Sequence, residues 1–229
     1  MDPAKAPFKG VIGMGALFDS LADVLVYEVG PRDGLQNESV FVKTEDKCEL
    51  VGALSAAGLS KVEVTSFVNP RWIPALADAS NLLGMLERQS DTLYGALVPN
   101  MKGMERALEF RPDEVAIFMS ASETHNKKNI NKSHEETFQA FERVCTTASE
   151  EELPVRAYLS TVWGCPYEGD VSLEKTLSLI DKLNQLGCYE ISLGDTIGIG
   201  DPAQTRRIIS EVKAVNGLSN IAMHMHDTR

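Results

Sequence analysis

Three short stretches carry the residues best suited to chemistry. Glu28 to Gln36 reads EVGPRDGLQ and sets a guanidinium, Arg32, beside a carboxylate, Asp33, directly after the apolar run Leu25–Val26–Tyr27. Pro31 removes a ladder donor and stops strand pairing, and Gly34 frees the backbone to turn, so Arg32 and Asp33 are expected together at the rim of a sheet. An adjacent Arg–Asp pair is also what a solvated turn looks like. In KVEVTSF, Glu63 and Thr65 share one side of a strand while Val62 and Val64 share the other. With the valines against helices the Glu63 carboxylate faces the interior, where a charge has to be paired. In IAMHMHDTR, His224 and His226 lie two apart and project to one face, with Met223 and Met225 on the other, packed against helices. Two neutral imidazoles side by side are natural metal ligands; two core imidazoles with satisfied hydrogen bonds are the alternative. Adding Asp33 gives a mixed nitrogen and oxygen set compatible with Mg²⁺, Mn²⁺ or another divalent cation. EISLGDTIGIG puts Ser192 on the interior parity of its strand and Asp195 at the rim, with Gly198 and Gly200 letting backbone pass close to a ligand.

The elements that must position these groups repeat regularly. Apolar or β-branched runs begin at Leu25, Lys61, Thr92, Glu114, Val155, Tyr189 and Ile221, a spacing of about 33 residues that suits one strand plus one helix. Between them, Leu50, Val51, Leu54 and Ala57 form a helical face ended by Gly58. Ser133 and Glu136 make a capping box ahead of Phe138, Phe141 and Val144. Leu173, Leu177, Ile180 and Leu183 repeat at helical spacing before Gly187, and Asp201–Pro202 is an N-cap and first-turn pair. Ser120 to Lys132, SASETHNKKNINK, reads as a polar loop. Seven such units predict an α/β chain of the (β/α)₈ TIM-barrel class, with an N-terminal segment 1–24 followed by a single barrel domain, 25–229. In such barrels the chemistry gathers at the carboxyl ends of the strands. A full barrel has eight strands and typically about 250 residues. The seventh strand is followed at once by Arg229, so the expectation is seven of eight βα units, two unpaired edge strands, and a chain that is part of something longer.

Composition narrows the partners. A net charge of −11 argues against nucleic acid or an anionic membrane as the general partner. An anionic ligand has to find a local basic spot, and Lys127 and Lys128, next to Asn129, form the only adjacent lysine pair. No apolar run reaches membrane-spanning length; the longest is Gly10 to Phe18. Cys48, Cys145, Cys165 and Cys188 have neither C-x-x-C spacing nor the density of a disulfide scaffold, which suits a reducing compartment. A cytoplasmic protein is expected, or a mitochondrial-matrix one in a eukaryote.

Taken in order, EVGPRDGLQNE, EVTSFV, KKNIN, GCPYEG, CYEISLGDTIGIG and HMHDT resemble the hydroxymethylglutaryl-CoA lyases, (β/α)₈ enzymes of a wider family that includes the isopropylmalate and homocitrate synthases. The resemblance runs from about Leu25 to the end and implies metal-dependent cleavage of 3-hydroxy-3-methylglutaryl-CoA to acetyl-CoA and acetoacetate, a step of leucine degradation and ketone-body formation. It implies a divalent cation, Mg²⁺ or Mn²⁺, on Asp33, His224 and His226. Arg32 matches the arginine that stabilises the thioester enolate, Glu63 matches a carboxylate needed for catalysis, and Asp33 and His224 join them as catalytic groups. Arg32, Gln36, Asn129, Ser192 and Asp195 are the substrate-binding set. The family's fourth metal ligand, an asparagine, and its lid cysteine belong to the eighth unit, and none of the four cysteines here matches the latter. The family's HCHDTY reads HMHDTR in this chain. A related acyl-CoA condensing synthase and a non-catalytic truncated fragment are the competing readings. An acyl-CoA is the expected partner, and a homodimer stands open.

Overall fold

Runs rich in Val, Ile, Leu and Tyr build seven parallel strands in the computed structural model, which describes residues 24–227. The segment up to residue 23, with the Gly10–Phe18 run, and the last two residues, Thr228 and Arg229, lie outside the described residues. The strands are β1 (Tyr27–Glu28), β2 (Lys61–Ser66), β3 (Leu93–Leu97), β4 (Glu114–Ser120), β5 (Val155–Ser160), β6 (Glu190–Asp195) and β7 (Ile221–Met225), paired in sequence order. Each crossover carries a helix: α1 (Thr44–Ala56), α2 (Ala79–Met85), α3 (Met101–Phe110), α4 (Glu123–Ile130) with α5 (His134–Glu150), α6 (Leu173–Gln185) and α7 (Pro202–Asn216). Parallel neighbours joined by helices are the βα repetition that the spacing required.

Alternation along the strands sorts the side chains into two layers. Val62, Val64, Ala96, Ile117, Leu159, Ile191 and Leu193 point outward into the main core, where α3, α5, α6 and α7 cover them with Met104, Phe141, Val144, Ile180, Leu183 and Val212. Leu97, Ala116 and Tyr158 meet on the inner side, with Phe118 against them. The sheet curls so that its ends approach: the Tyr27 ring on β1 lies 4.6 Å below the Arg156 guanidinium on β5, and Asp33, just after β1, reaches His224 on β7. No ladder joins β1 to β7 among the described residues. The bottom of the interior is polar. Lys61 Nζ donates to Tyr189 Oη (2.8 Å), Tyr189 Oη donates to Glu114 Oε2 (2.5 Å), and Arg156 Nε donates to Glu190 Oε1 (2.5 Å).

Several local expectations are corrected. β1 starts at Tyr27 rather than Leu25, with Val24 and Val26 exposed. Gly30–Gly34 is not an open glycine turn but a wide helical turn, in which Arg32 N and Asp33 N both donate to Val29 O. The stretch read as a polar loop from Ser120 to Lys132 is mostly helix α4, because Ser122 caps it by accepting from His125 N and Asn131 closes it in the left-handed region (φ 54°). Of the face read on α1, Val51 is buried and Leu54 packs against the core, but Leu50 and Ala57 are exposed, and Lys47 and Ser55 are buried in their place. Met223 and Met225 do not pack on helices but stand 45% and 42% exposed, since no described element covers the outer face of β7. The capping box at Ser133 and Glu136 and the Asp201 cap of α7 form as read.

Candidate active site

The helical turn after β1 turns Arg32 inward over the mouth of the barrel. Glu28 Oε1 accepts from Gly30 N at 2.6 Å and Pro31 starts the turn, so the backbone that aims Arg32 is fixed from both sides. Arg32 is only 7% exposed. Its Nε donates to Glu63 Oε2 at 2.5 Å, its Nη1 donates to Asp33 Oδ1 at 2.6 Å, and the guanidinium carbon lies 5.4 Å from the centre of the Tyr158 ring. Burial alone works against the charged form, but Glu63, Tyr158 and Asp33 outweigh it and hold the guanidinium pKa above its ordinary value. Glu63 is fully buried on the inner parity of β2, the side the alternation of KVEVTSF required, and its partner is this arginine.

Asp33, His224 and His226 come together across the seam between β1 and β7. One ligand atom from each lies within 4.8 Å of the others. His224 Nε2 is 3.7 Å from Asp33 Oδ2, too far for a hydrogen bond and suited to two ligands facing one ion. His226 Nδ1 is 3.1 Å from Thr196 O; a carbonyl only accepts, so Nδ1 carries the proton and Nε2 keeps its lone pair for a ligand. Burial lowers the pKa of His224 more than Asp33 raises it, with His226 and Arg32 lowering it further, which favours the neutral imidazole a metal needs. Two imidazoles and one carboxylate, all with free lone pairs, fit a divalent cation.

A cavity of about 1170 Å³ opens above these groups. Arg32, Asp33, His224 and His226 line its floor, and Gln36, Asn129 and Ser192 line it as well. Ser192 Oγ and Tyr158 Oη are buried there without a hydrogen-bond partner, leaving two polar atoms for a ligand. Two sequence expectations are redirected. Asp195 is buried outside the cavity lining, and its carboxylate accepts from Ile199 N and Gly200 N, so it shapes the loop after β6. Gly200 is required by that loop, since a Cβ would stand 2.6 Å from Trp163 Cδ1. Lys127 pairs with Glu123 at 3.5 Å and Lys128 lies 4.0 Å from the centre of the Tyr167 ring; of the three neighbours only Asn129 lines the cavity.

Tyr158, Arg71, Trp72 and His125 also line the cavity and were passed over in the sequence. Tyr158 had a signal, since VRAYLS places Arg156, Tyr158 and Ser160 on one parity. Thr161, directly after β5, holds a left-handed φ of 61°, unusual for a β-branched residue. Hydrogen bonds from Thr161 N to Thr196 Oγ1, from its Oγ1 to Ser160 O, and from Ser122 N to its Oγ1 lock it and tie three strand ends together.

The likeness to known proteins follows the same residues. The HMGL-like family profile matches residues 23–229. The hydroxymethylglutaryl-CoA lyase YngG of Bacillus subtilis is 50% identical over 206 residues, covering 90% of this chain and 69% of that protein. A crystal structure of the Bacillus subtilis HMG-CoA lyase superposes with a TM-score of 0.87 at 51% identity, over 89% of this chain and 68% of that one. An HMG-CoA lyase from Acinetobacter baumannii, solved with coenzyme A and 3-methylmalate, gives a TM-score of 0.87 at 36% identity, over 92% of this chain and 69% of that one. Among curated relatives the share of their own length that this chain spans runs from 60% to 69%. With the arginine, the carboxylates and the paired histidines set at the strand ends of a TIM-barrel sheet, and with the profile running through all of them, the chain belongs to the HMGL-like family.

Proposed function

We propose that this protein cleaves 3-hydroxy-3-methylglutaryl-CoA to acetyl-CoA and acetoacetate, a carbon–carbon lyase reaction of leucine degradation and ketone-body formation. The observation that carries the reading is Arg32, locked by Glu63 directly beside the Asp33–His224–His226 cluster. A relative solved with coenzyme A supports the acyl-CoA class of substrate. Asp33, His224 and His226 would hold Mg²⁺ or Mn²⁺, which would supply Lewis-acid chemistry to the substrate.

The chain's own groups account for the rest. The C3 hydroxyl proton passes to a carboxylate beside Arg32, while Asp33 Oδ2 and His224 Nε2 stay the pair that faces the cation. As the C2–C3 bond breaks, its electron pair moves to C2 and C3 becomes the ketone of acetoacetate. Arg32, itself 7% exposed, faces the thioester oxygen on which the enolate charge builds. Glu63 holds the guanidinium plane, and Ser192 and Tyr158 offer hydroxyls to the acyl group. A proton returned to C2 gives acetyl-CoA, so the overall step is proton-neutral. The free thiols, with Cys145 and Cys188 buried and unbridged, suit the cytoplasm or another reducing compartment.

Assaying Mn²⁺-loaded protein with hydroxymethylglutaryl-CoA, and separately with acetyl-CoA plus a 2-oxo acid, tests the reading. Equal yields of acetyl-CoA and acetoacetate from the first, and no condensation product from the second, are expected. Condensation without cleavage would make it a synthase instead.

A further inference from the structure

Beneath the catalytic groups the barrel interior carries a column of alternating cations and aromatic rings. Arg156 and Tyr158 share one parity of β5, so both side chains project inward, with the tyrosine nearer the carboxyl ends of the strands. The Tyr158 ring has the Arg32 guanidinium 5.4 Å from its centre and the Arg156 guanidinium at 4.5 Å. Arg156 in turn lies 4.6 Å from the Tyr27 ring, and Lys61 Nζ lies 5.7 Å from the same ring. One carboxylate accompanies each cation: Glu63 pairs with Arg32, Glu190 with Arg156 and Glu114 with Lys61. The order Arg32, Tyr158, Arg156, Tyr27, Lys61 therefore runs from the mouth of the barrel to the starts of its strands.

Within this column Arg156 depends most on the rings. It is 3% exposed, its Nε donates to Glu190 Oε1, and its Nη1 is buried with no hydrogen-bond partner. A guanidinium bonded through one nitrogen can pivot about that bond. The two rings restrain it, because a desolvated cation is drawn to an aromatic face. Tyr27 is itself wedged, since a Cβ on Gly95 of β3 would collide with Tyr27 Oη, and that hydroxyl is buried without a partner, so the residue contributes its ring rather than its tip. Arg156 does not line the cavity and acts only through its neighbours. Without it, Tyr158 loses the cation beneath its ring, and Arg32 loses a fixed surface to rest on.

We propose that Arg156 is a positioning residue for the cleavage reaction, acting through the Tyr158 ring to set the tilt of the Arg32 guanidinium. The inference rests on the lyase reading above.

The test follows turnover of hydroxymethylglutaryl-CoA by the full chain loaded with Mn²⁺. In parallel it follows the Arg32 Nε–H resonance in protein carrying ¹⁵N-labelled arginine, assigned by its absence from Arg32→Lys. Arg156→Met is expected to lower kcat about a hundredfold, as for a catalytic group displaced by about 1 Å, to leave KM and Mn²⁺ affinity unchanged, and to shift the Arg32 resonance. Tyr27→Leu removes no charged group and gives the same pattern more weakly, which decides the matter should Arg156→Met fail to fold. Tyr27→Phe keeps the ring and restores most of what Tyr27→Leu loses. Added to Tyr158→Leu, Arg156→Met lowers kcat by less than about twofold more, since the two act as one unit. An unchanged kcat in both Arg156→Met and Tyr27→Leu overturns the proposal. So does full additivity with Tyr158→Leu, and so does a loss that tracks the urea midpoint while the Arg32 resonance stays in place, the result packing alone would give. No turnover in the unaltered protein, with the resonance still shifted in Arg156→Met, supports the positioning of Arg32 and overturns the proposed reaction.

Discussion

Arg32 Nε and Glu63 Oε2 lie 2.5 Å apart although 31 residues separate them in sequence, and the pair joins the turn after β1 to the buried face of β2. The guanidinium is nearly sealed from water, so it depends on this partner. Glu63→Gln is expected to destabilise the fold by about 3 kcal/mol, the low end for removing one member of a buried pair. Urea unfolding measures it. A loss below about 1 kcal/mol would mean Asp33 alone satisfies Arg32.

Metal binding should depend on the β1–β7 seam. Loss of an outer-shell partner of a metal ligand costs about 10- to 100-fold in affinity, so Asp33→Asn and His224→Gln are each expected to cost more than about 100-fold for Mn²⁺. His125→Gln, on α4, should leave affinity unchanged. Electron paramagnetic resonance of free Mn²⁺ reads all three. Equal affinities in the Asp33 and His125 variants would remove the cluster from consideration.

Acid should weaken the β4–α5 region. Burial lowers the pKa values of His125 and His134, which bond Ser120 Oγ (2.6 Å) and Ser120 O (2.7 Å). An unfolded imidazole takes up a proton near pH 6.5, while these folded ones resist it. The unfolded state then binds more protons, so stability present at neutral pH falls as pH drops through about 6.5. The double variant His125→Gln, His134→Gln should show a shallower decline between pH 7.5 and 5.5 in denaturant midpoints. An identical decline would place the acid sensitivity elsewhere.

Ser133→Ala removes the acceptor for Glu136 N and leaves only the reciprocal bond from the residue-133 backbone N–H to Glu136 Oε2. The expected cost is about 1 kcal/mol, seen in thermal or urea unfolding. No measurable change would show that α5 is held by its buried face, Phe141 and Val144, alone.

The sequence was most legible where one period governed. Six strand starts fall within one residue of their hydrophobic runs and β1 within two, because β-branched runs and glycine stops report on backbone directly. Parity placed Glu63 inside, and spacing put His224 and His226 on one face. It failed where a side chain serves its own loop. Asp195 looked like a rim ligand, but two nearby backbone N–H groups claim it, and sequence does not count a loop's unmet donors. SASETHNKKNINK looked like a loop because its helix is polar; its caps, Ser122 and Asn131, were the readable sign. The exposure of Met223 and Met225 was out of reach of alternation, which tells which face a residue takes and not whether anything covers it.

A single-turnover comparison of the unaltered protein with Arg32→Lys tests whether Arg32 stabilises the enolate beside the Asp33–His224–His226 cluster. Both are loaded with Mn²⁺, matched for bound metal, and mixed with substoichiometric hydroxymethylglutaryl-CoA. Lysine keeps the charge but loses the planar fork that bonds Glu63 and Asp33 together. The expected result is equal metal occupancy and acetyl-CoA release slower by about a thousandfold, as for loss of an oxyanion donor. Comparable release rates in the two proteins, or release that persists after chelation, would show that Arg32 does not stabilise the enolate at a metal site.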